Sequence, residues 1–275
     1  MDAGIHAEAL CLPWLTRLGF GSTAARLVAA HCVAVDLLGS DILGYYTRWA
    51  GPLACCLPWT PRSERLHFGS LFTTAEVSAL WAELEQRTAL ALGEGDAAWR
   101  LAVVGASLHA VHDFYAHSNW PRLDWAAHGL VAPTWHDVPA DLRAGLDLHT
   151  ATGHGIVPPP GRFRHDELHS DHPGRPGHAV ACAAAERATG QWLERCAAWA
   201  GVGWGAMQAY AEQPAAVALD YRLLADLARA SGHWQGAGPL RSWWLLRTGL
   251  RALARGRGPV ARPWLRGDLG RRLGG

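Results

Sequence analysis

The chain has 275 residues, 49% of them apolar and 18% charged, with a formal net charge of +1. That balance excludes a disordered chain, and the lack of a long uncharged apolar run excludes a membrane-spanning helix. The length suits one large domain, or a domain with an extension, better than several small modules.

The opening MDAGIHAEAL carries two acids, with no basic flank and no apolar stretch before a small-residue cleavage site, so a cytoplasmic protein is expected. Apolar residues at three- and four-residue spacing predict helices at 22–38, 74–92, 97–119, 177–200 and 214–231, separated by Gly/Pro loops. The second of these starts at Thr74 with Glu76 close behind, an acid placed at the positive end of the helix dipole. No alternating strand pattern occurs, so the expected fold is all-α: a single helical bundle over 1–235 with an extension over 236–275.

The stretch 121–176 differs from the rest. It holds Pro121, Pro133, Pro139, Pro158, Pro159, Pro160, Pro173 and Pro176 among histidines and aspartates, and is expected to be mostly loop. Long ordered loops are uncommon unless they serve a site, so this one is expected to fold over a ligand cluster or frame its entrance; a loose insertion is the alternative. From Gly236 onward, nine arginines face one acid, Asp268, which gives the tail about +8 and leaves 1–235 near −7. Within it Arg247, Arg251 and Arg255 lie four apart, while Leu240, Trp243, Trp244, Leu250 and Leu253 share another face, a basic amphipathic helix.

Six cysteines, at 11, 32, 55, 56, 182 and 196, form no Cys-x-x-Cys pair, and the adjacent Cys55 and Cys56 could bridge each other only under strain. They read as reduced thiols, mostly buried. There is no lysine, and Asn119 is the only asparagine. Fifteen histidines and fifteen tryptophans exceed what an ordinary core uses, because each buried ring nitrogen needs a partner.

Asn119 stands inside the densest set of metal-binding residue types, the segment LHAVHDFYAHSNW from Leu108 to Trp120. On a helix over 97–119, His109, Asp113 and His117 fall at successive four-residue steps and share one side within about 80° of rotation. Leu101, Val104, Leu108, Val111 and Tyr115 can hold the other side against a core, and His112 lies beside the stripe. Imidazole with carboxylate is a donor set that suits zinc and similar divalent ions; the carboxylate can ligate one ion, bridge two, or orient a ring. His6, Asp36 and His67 precede the stripe as further candidates.

The phrase from Leu108 to Trp120 resembles that of Het-C-type proteins, whose motif helix ends close to LHALQDFYAHSNW. Those proteins look like distant members of the zinc-dependent phospholipase C and single-strand nuclease superfamily, all-helical enzymes with a His-x-x-x-Asp ligand pair followed by another histidine. His109, Asp113 and His117 match that order. The resemblance implies an N-terminal histidine, an acid on an early helix, a His-Phe segment and a late histidine-bearing helix, places that His6, Asp36, His67 and His178 occupy. It also makes His165, Asp171 and His169, in HDELHSDHPG, residues that orient ligands or meet substrate. It covers scattered anchor points between about 5 and 200. One departure is clear: family members pair the late histidine with a glutamate four residues on, where this chain has Cys182, and Glu186 comes only after eight.

The function so implied is phosphodiester hydrolysis by a metal-activated water, with a phospholipid as one substrate class and two or three zinc ions, or another divalent metal, as cofactors. In that scheme His67, His109 and Asp113 hold one ion, His117 and His178 another, and His6 is optional. Asp36 ligates or acts as general base, and Asn119 positions a phosphate or the ligand loop. Trp120, Trp125 and Trp135 either line a pocket or belong to the core. Two rival readings stand beside it. The His112-Asp113 dipeptide also suits an HD-type phosphohydrolase, although the Tyr-Ala-His-Ser-Asn continuation argues against that. A non-catalytic protein could instead dock on anionic membranes through 240–255, where each arginine contributes about 1 kcal/mol. Nucleic-acid binding ranks last, since no aromatic-basic groove pattern accompanies the tail.

Overall fold

In a computed structural model, the structure describes residues 4–38, 65–152, 157–168, 170 and 172–211, with side chains at all of these except 34, 36–38, 165 and 166. The predicted helix at 214–231 and the basic extension lie outside the described residues.

The protein is all-α. A π-helical stretch, Ile5–Cys11, runs into α1 (Leu12–Arg17), followed by α2 (Ser22–Leu38), α3 (Thr74–Gly93), α4 (Ala97–His117), α5 (Ala140–Ala144), α6 (His165–Leu168), α7 (His178–Ala200) and α8 (Gly203–Gln208). Among the described residues there are no strands, only two isolated bridges, Ser118 with Thr150 and Thr152 with Arg164. No described helix is long and apolar enough to cross a membrane.

α4 is the axis of the molecule. Every residue from Leu101 to His117 is buried, so this helix has no solvent face; α2, α3, α7 and the π-helical stretch all pack against it. Asp96 starts it by accepting a hydrogen bond from the Trp99 amide at 2.8 Å. α3 starts at Thr74, as its sequence suggests; Thr73 caps it in a capping box with Glu76, and the Thr74 hydroxyl donates to the Leu146 carbonyl.

Two glycines set how closely the helices meet. A Cβ on Gly105 of α4 would stand 2.4 Å from the Val28 carbonyl oxygen and 2.6 Å from the His31 Cβ, so only glycine lets α2 come this close. A Cβ on Gly190 of α7 would stand 2.6 Å from the Trp14 ring, which therefore lies flat on that helix. The first contact draws Cys32 toward α4, and the second seats the N-terminal elements against α7.

The described part of the Pro-rich stretch is short helices and turns against the end of α4. Ala151 donates its amide to the His117 carbonyl at 2.7 Å, Ser170 donates to Ala116 at 2.9 Å, and Ser70 donates to Ala151 at 2.8 Å. Its described part therefore lies against the C-terminal end of α4. The other flank of α4 is aromatic: Trp81, Phe114, Trp120 and Trp135 are buried against one another, with Trp81 and Trp135 stacked at 5.5 Å. Trp120, Trp125 and Trp135 are core residues here.

Candidate metal centre

Asp113 lies in the interior with four imidazoles around its carboxylate. His67 Nδ1 is 2.9 Å and His109 Nε2 3.1 Å from Oδ2; His6 Nε2 is 3.3 Å and His117 Nε2 3.7 Å from Oδ1. Four sequence positions spread from residue 6 to residue 117 thus meet on one acid. His109, Asp113 and His117 arrive by helical spacing. His6 comes from the π-helical stretch, and His67 from a single 3-10 turn, Arg65–His67, before α3.

That turn is held firmly. Leu66 and Phe68 on either side of His67 are fully buried, and Phe68 packs on Phe114 and Trp81. Phe68 and Ser70 both adopt positive φ, 48° and 57°. Such backbone costs about 1–3 kcal/mol at each non-glycine residue and persists because its surroundings impose it.

His67 Nδ1, His109 Nε2 and Asp113 Oδ2 form a near-equilateral triangle with edges of 2.9, 3.0 and 3.1 Å. Donors around a tetrahedral zinc at about 2.0–2.1 Å lie about 3.3 Å apart, so a small outward movement would seat an ion on this face. His6, His109 and Asp113 also offer donor atoms within 4.8 Å of one another, as do His6, Cys32 and His112.

The electrostatics suit a cation. Burial alone would raise the Asp113 pKa, but the positive charges gathered around it, the His109 and His117 rings among them, hold its carboxyl well below the usual range. Burial pushes His6 well below its ordinary value, with Asp113 opposing, and brings His112 down to about 3. A carboxylate held ionised, with His6 and His112 held neutral, offers donors in the protonation state that divalent metals bind.

The remaining sequence candidates fall into place unevenly. His178 opens α7 and donates Nδ1–H to the Ser170 carbonyl at 2.8 Å, while its Nε2 lies 3.5 Å from Cys182 Sγ. The thiol at the position of the expected glutamate therefore still offers a donor beside this ring. Through Ser170 the pair is tied to the backbone of Ala116, next to His117. Asn119 is engaged at both ends of its amide: Nδ2 donates to the Asp147 carbonyl at 2.8 Å, and Oδ1 accepts from the His149 amide at 3.0 Å. Of its two expected roles, this geometry matches the positioning of a loop. Asp36 is on α2 and His165 begins α6, but their side chains, together with His169 and Asp171, lie outside the described residues.

Sequence reasoning missed three participants. His112 Nδ1 stands 3.0 Å from His6 Nδ1 and 3.9 Å from Cys32 Sγ, and its Nε2 2.9 Å from the Thr189 hydroxyl. The adjacency of His112 to the stripe was visible, but only the packing of α2, α4 and α7 brings Cys32 and Thr189 to it.

Fold and site together define a class: an all-α protein with a buried imidazole-carboxylate cluster able to hold a divalent ion. No family model matches the chain, and neither does any curated protein or solved structure.

Proposed function

We propose that this protein is a divalent-metal-dependent phosphodiester hydrolase of the Het-C-like, phospholipase C-related kind, with zinc as the ion. The observation that carries the reading is the triangle of His67, His109 and Asp113, three donors with edges near 3 Å on a carboxylate buried inside a helical bundle. Three protein ligands with a remaining open position is the arrangement of catalytic rather than structural zinc.

Bound there, the ion would lower the pKa of a water and neutralise charge on phosphoryl oxygens. The chain's own residues do the rest. Asp113 holds its charge ready because the surrounding rings favour the ionised form. His109 is fully buried, whereas the His67 side chain keeps 12% of its surface exposed, so a phosphate would approach from the His67 side. His117 Nε2 lies 3.7 Å from the far oxygen of Asp113. Asp36 remains the general-base candidate on α2.

The Het-C resemblance supports a phospholipid or other phosphodiester as substrate, and the arginines of 240–255 would aid contact with an anionic surface. The HD-type alternative is less well supported. It needs His112 and Asp113 on one ion, yet His112 groups with Cys32 and His6 while Asp113 groups with His109 and His6.

The test is elemental analysis of purified protein with turnover of a phosphodiester model substrate and of phosphatidylcholine vesicles. His109→Ala and Asp113→Ala should each lose an ion and more than about 100-fold of turnover, since even residues that merely orient metal ligands are worth 10–100-fold. Metal content unchanged in both variants would end the reading. Vesicle binding that disappears on truncation near 235, without metal-dependent turnover, would favour the docking protein instead.

A further inference from the structure

We infer that His6, Cys32 and His112 form a second, thiolate-containing metal site behind the Asp113 centre, suited to zinc or a similar borderline-soft divalent ion. The inference goes beyond the hydrolase reading and meets it through Asp113 and His6.

The case rests on proton accounting. Thr189 donates its hydroxyl proton to the Ala185 carbonyl at 2.7 Å. Its oxygen must therefore accept from His112, 2.9 Å away, which fixes the His112 proton on Nε2 and leaves a lone pair on Nδ1. That lone pair faces His6 Nδ1 at 3.0 Å and Cys32 Sγ at 3.9 Å. His6 then lies between two acceptors, the His112 lone pair on one side and Asp113 Oδ1, 3.3 Å from Nε2, on the other. A neutral imidazole has one N–H. With its proton toward His112, Nε2 is left without a partner among the described residues; with the proton toward Asp113, two imidazole lone pairs meet 3.0 Å apart inside a buried site. A thiol proton from Cys32 to His112 does not relieve the His6 contact.

An ion held by His6 Nδ1, His112 Nδ1 and Cys32 Sγ resolves every contact at once. The His6 proton moves to Nε2 and donates to Asp113 Oδ1, the metal-histidine-carboxylate relay that orients ligating rings. His112 keeps its bond to Thr189. The Cys32 thiol loses its proton to solvent as the sulfur-metal bond forms, so binding releases one proton per ion. Asp113 would then serve both sites, with Oδ2 toward His67 and His109 and Oδ1 toward His6. The three donor atoms already lie within 4.8 Å of one another and all three residues are buried, a closed environment that suits a stable thiolate site. Cys32 reaches it because Gly105 admits α2 to van der Waals contact with α4.

The experiment loads the full chain with cobalt(II) and reads the near-ultraviolet sulfur-to-cobalt charge-transfer band alongside metal stoichiometry. The wild type should show the band. Cys32→Ser should abolish it and lower the bound metal by one ion per chain, whereas Cys182→Ser should keep it. His109→Ala should lose an ion from the Asp113 centre yet retain the band, so failure of the hydrolase reading and failure of this site separate cleanly. His112→Gln, which keeps a donor for Thr189, is the check if the serine variant does not fold; it too should lose the band. A saturated wild type with no band, a band surviving Cys32→Ser, or a doubly protonated His6 with no bound ion would overturn the assignment.

Discussion

The two flanks of α4 are equally buried but differ in how their polar atoms are satisfied. On the aromatic flank the protein supplies most of its own partners: Trp120 donates its indole N–H to the Pro133 carbonyl, Trp125 to Trp120, Trp192 to the Ser107 hydroxyl, and the Tyr115 oxygen accepts the Trp135 amide, while the buried Trp81 indole N–H lacks one among the described residues. On the ligand flank, His6, His67, His109, His112 and His117 crowd on one another and on a single carboxylate, and one neutral ring stands between two acceptors. The comparison teaches that the same degree of burial can mean a largely self-satisfied core on one side and a cluster of groups that could hold a cation on the other.

The comparison can be broken from the aromatic side first. Trp120→Ala should cost about 3–5 kcal/mol, the range for deleting a large buried ring, and be seen as a lowered denaturant midpoint. If the flanks are separable, the folded fraction should still bind metal at wild-type stoichiometry. Loss of metal from a folded Trp120→Ala protein would show that they are one unit.

A smaller effect, on the ligand flank, is expected from Gly105→Ala. The added methyl meets the Val28 carbonyl and the His31 Cβ, so α2 must retreat, at about 1–3 kcal/mol. Because Cys32 rides on α2 and His67 does not, the cobalt-thiolate band should weaken before the Asp113 centre loses its ion.

The least change concerns acid sensitivity on the aromatic side, where His136 packs against Trp81. Burial first, then Arg195 and Arg143, lower its pKa from the ordinary 6.5 to about 4. The unfolded chain therefore binds a proton between those values that the folded protein does not. Stability from this group is complete above pH 6.5 and is lost as pH falls toward 4. His136→Gln should flatten the melting temperature of metal-free protein across that window by on the order of a few degrees. An unchanged slope would show that His136 is not the group responsible.

Much of the ligand flank was legible beforehand, because four-residue spacing alone puts His109, Asp113 and His117 in one row, and the family phrase pointed to His6 and His67. The same spacing could not show that the helix is buried all round, since the row of apolar residues opposite the stripe looks the same whether or not the stripe faces water. Beyond its place in the His112-Asp113 dipeptide, the surroundings of His112 are not legible, because its partners, Cys32 and Thr189, lie 80 residues before and 77 after it. Only the glycine-mediated approach of α2 and the seating of α7 join them. Likewise Asn119 stood out by rarity, but its bonds to Asp147 and His149 depend on a loop whose path no local pattern specifies.

The central claim is that His67, His109 and Asp113 hold a divalent ion. Anomalous scattering at the zinc edge, from crystals of the full chain saturated with zinc, tests it most directly. The expected result is an ion about 2.0–2.2 Å from His67 Nδ1, His109 Nε2 and Asp113 Oδ2. Zinc bound only elsewhere, with these three groups still in direct contact with one another, would contradict it.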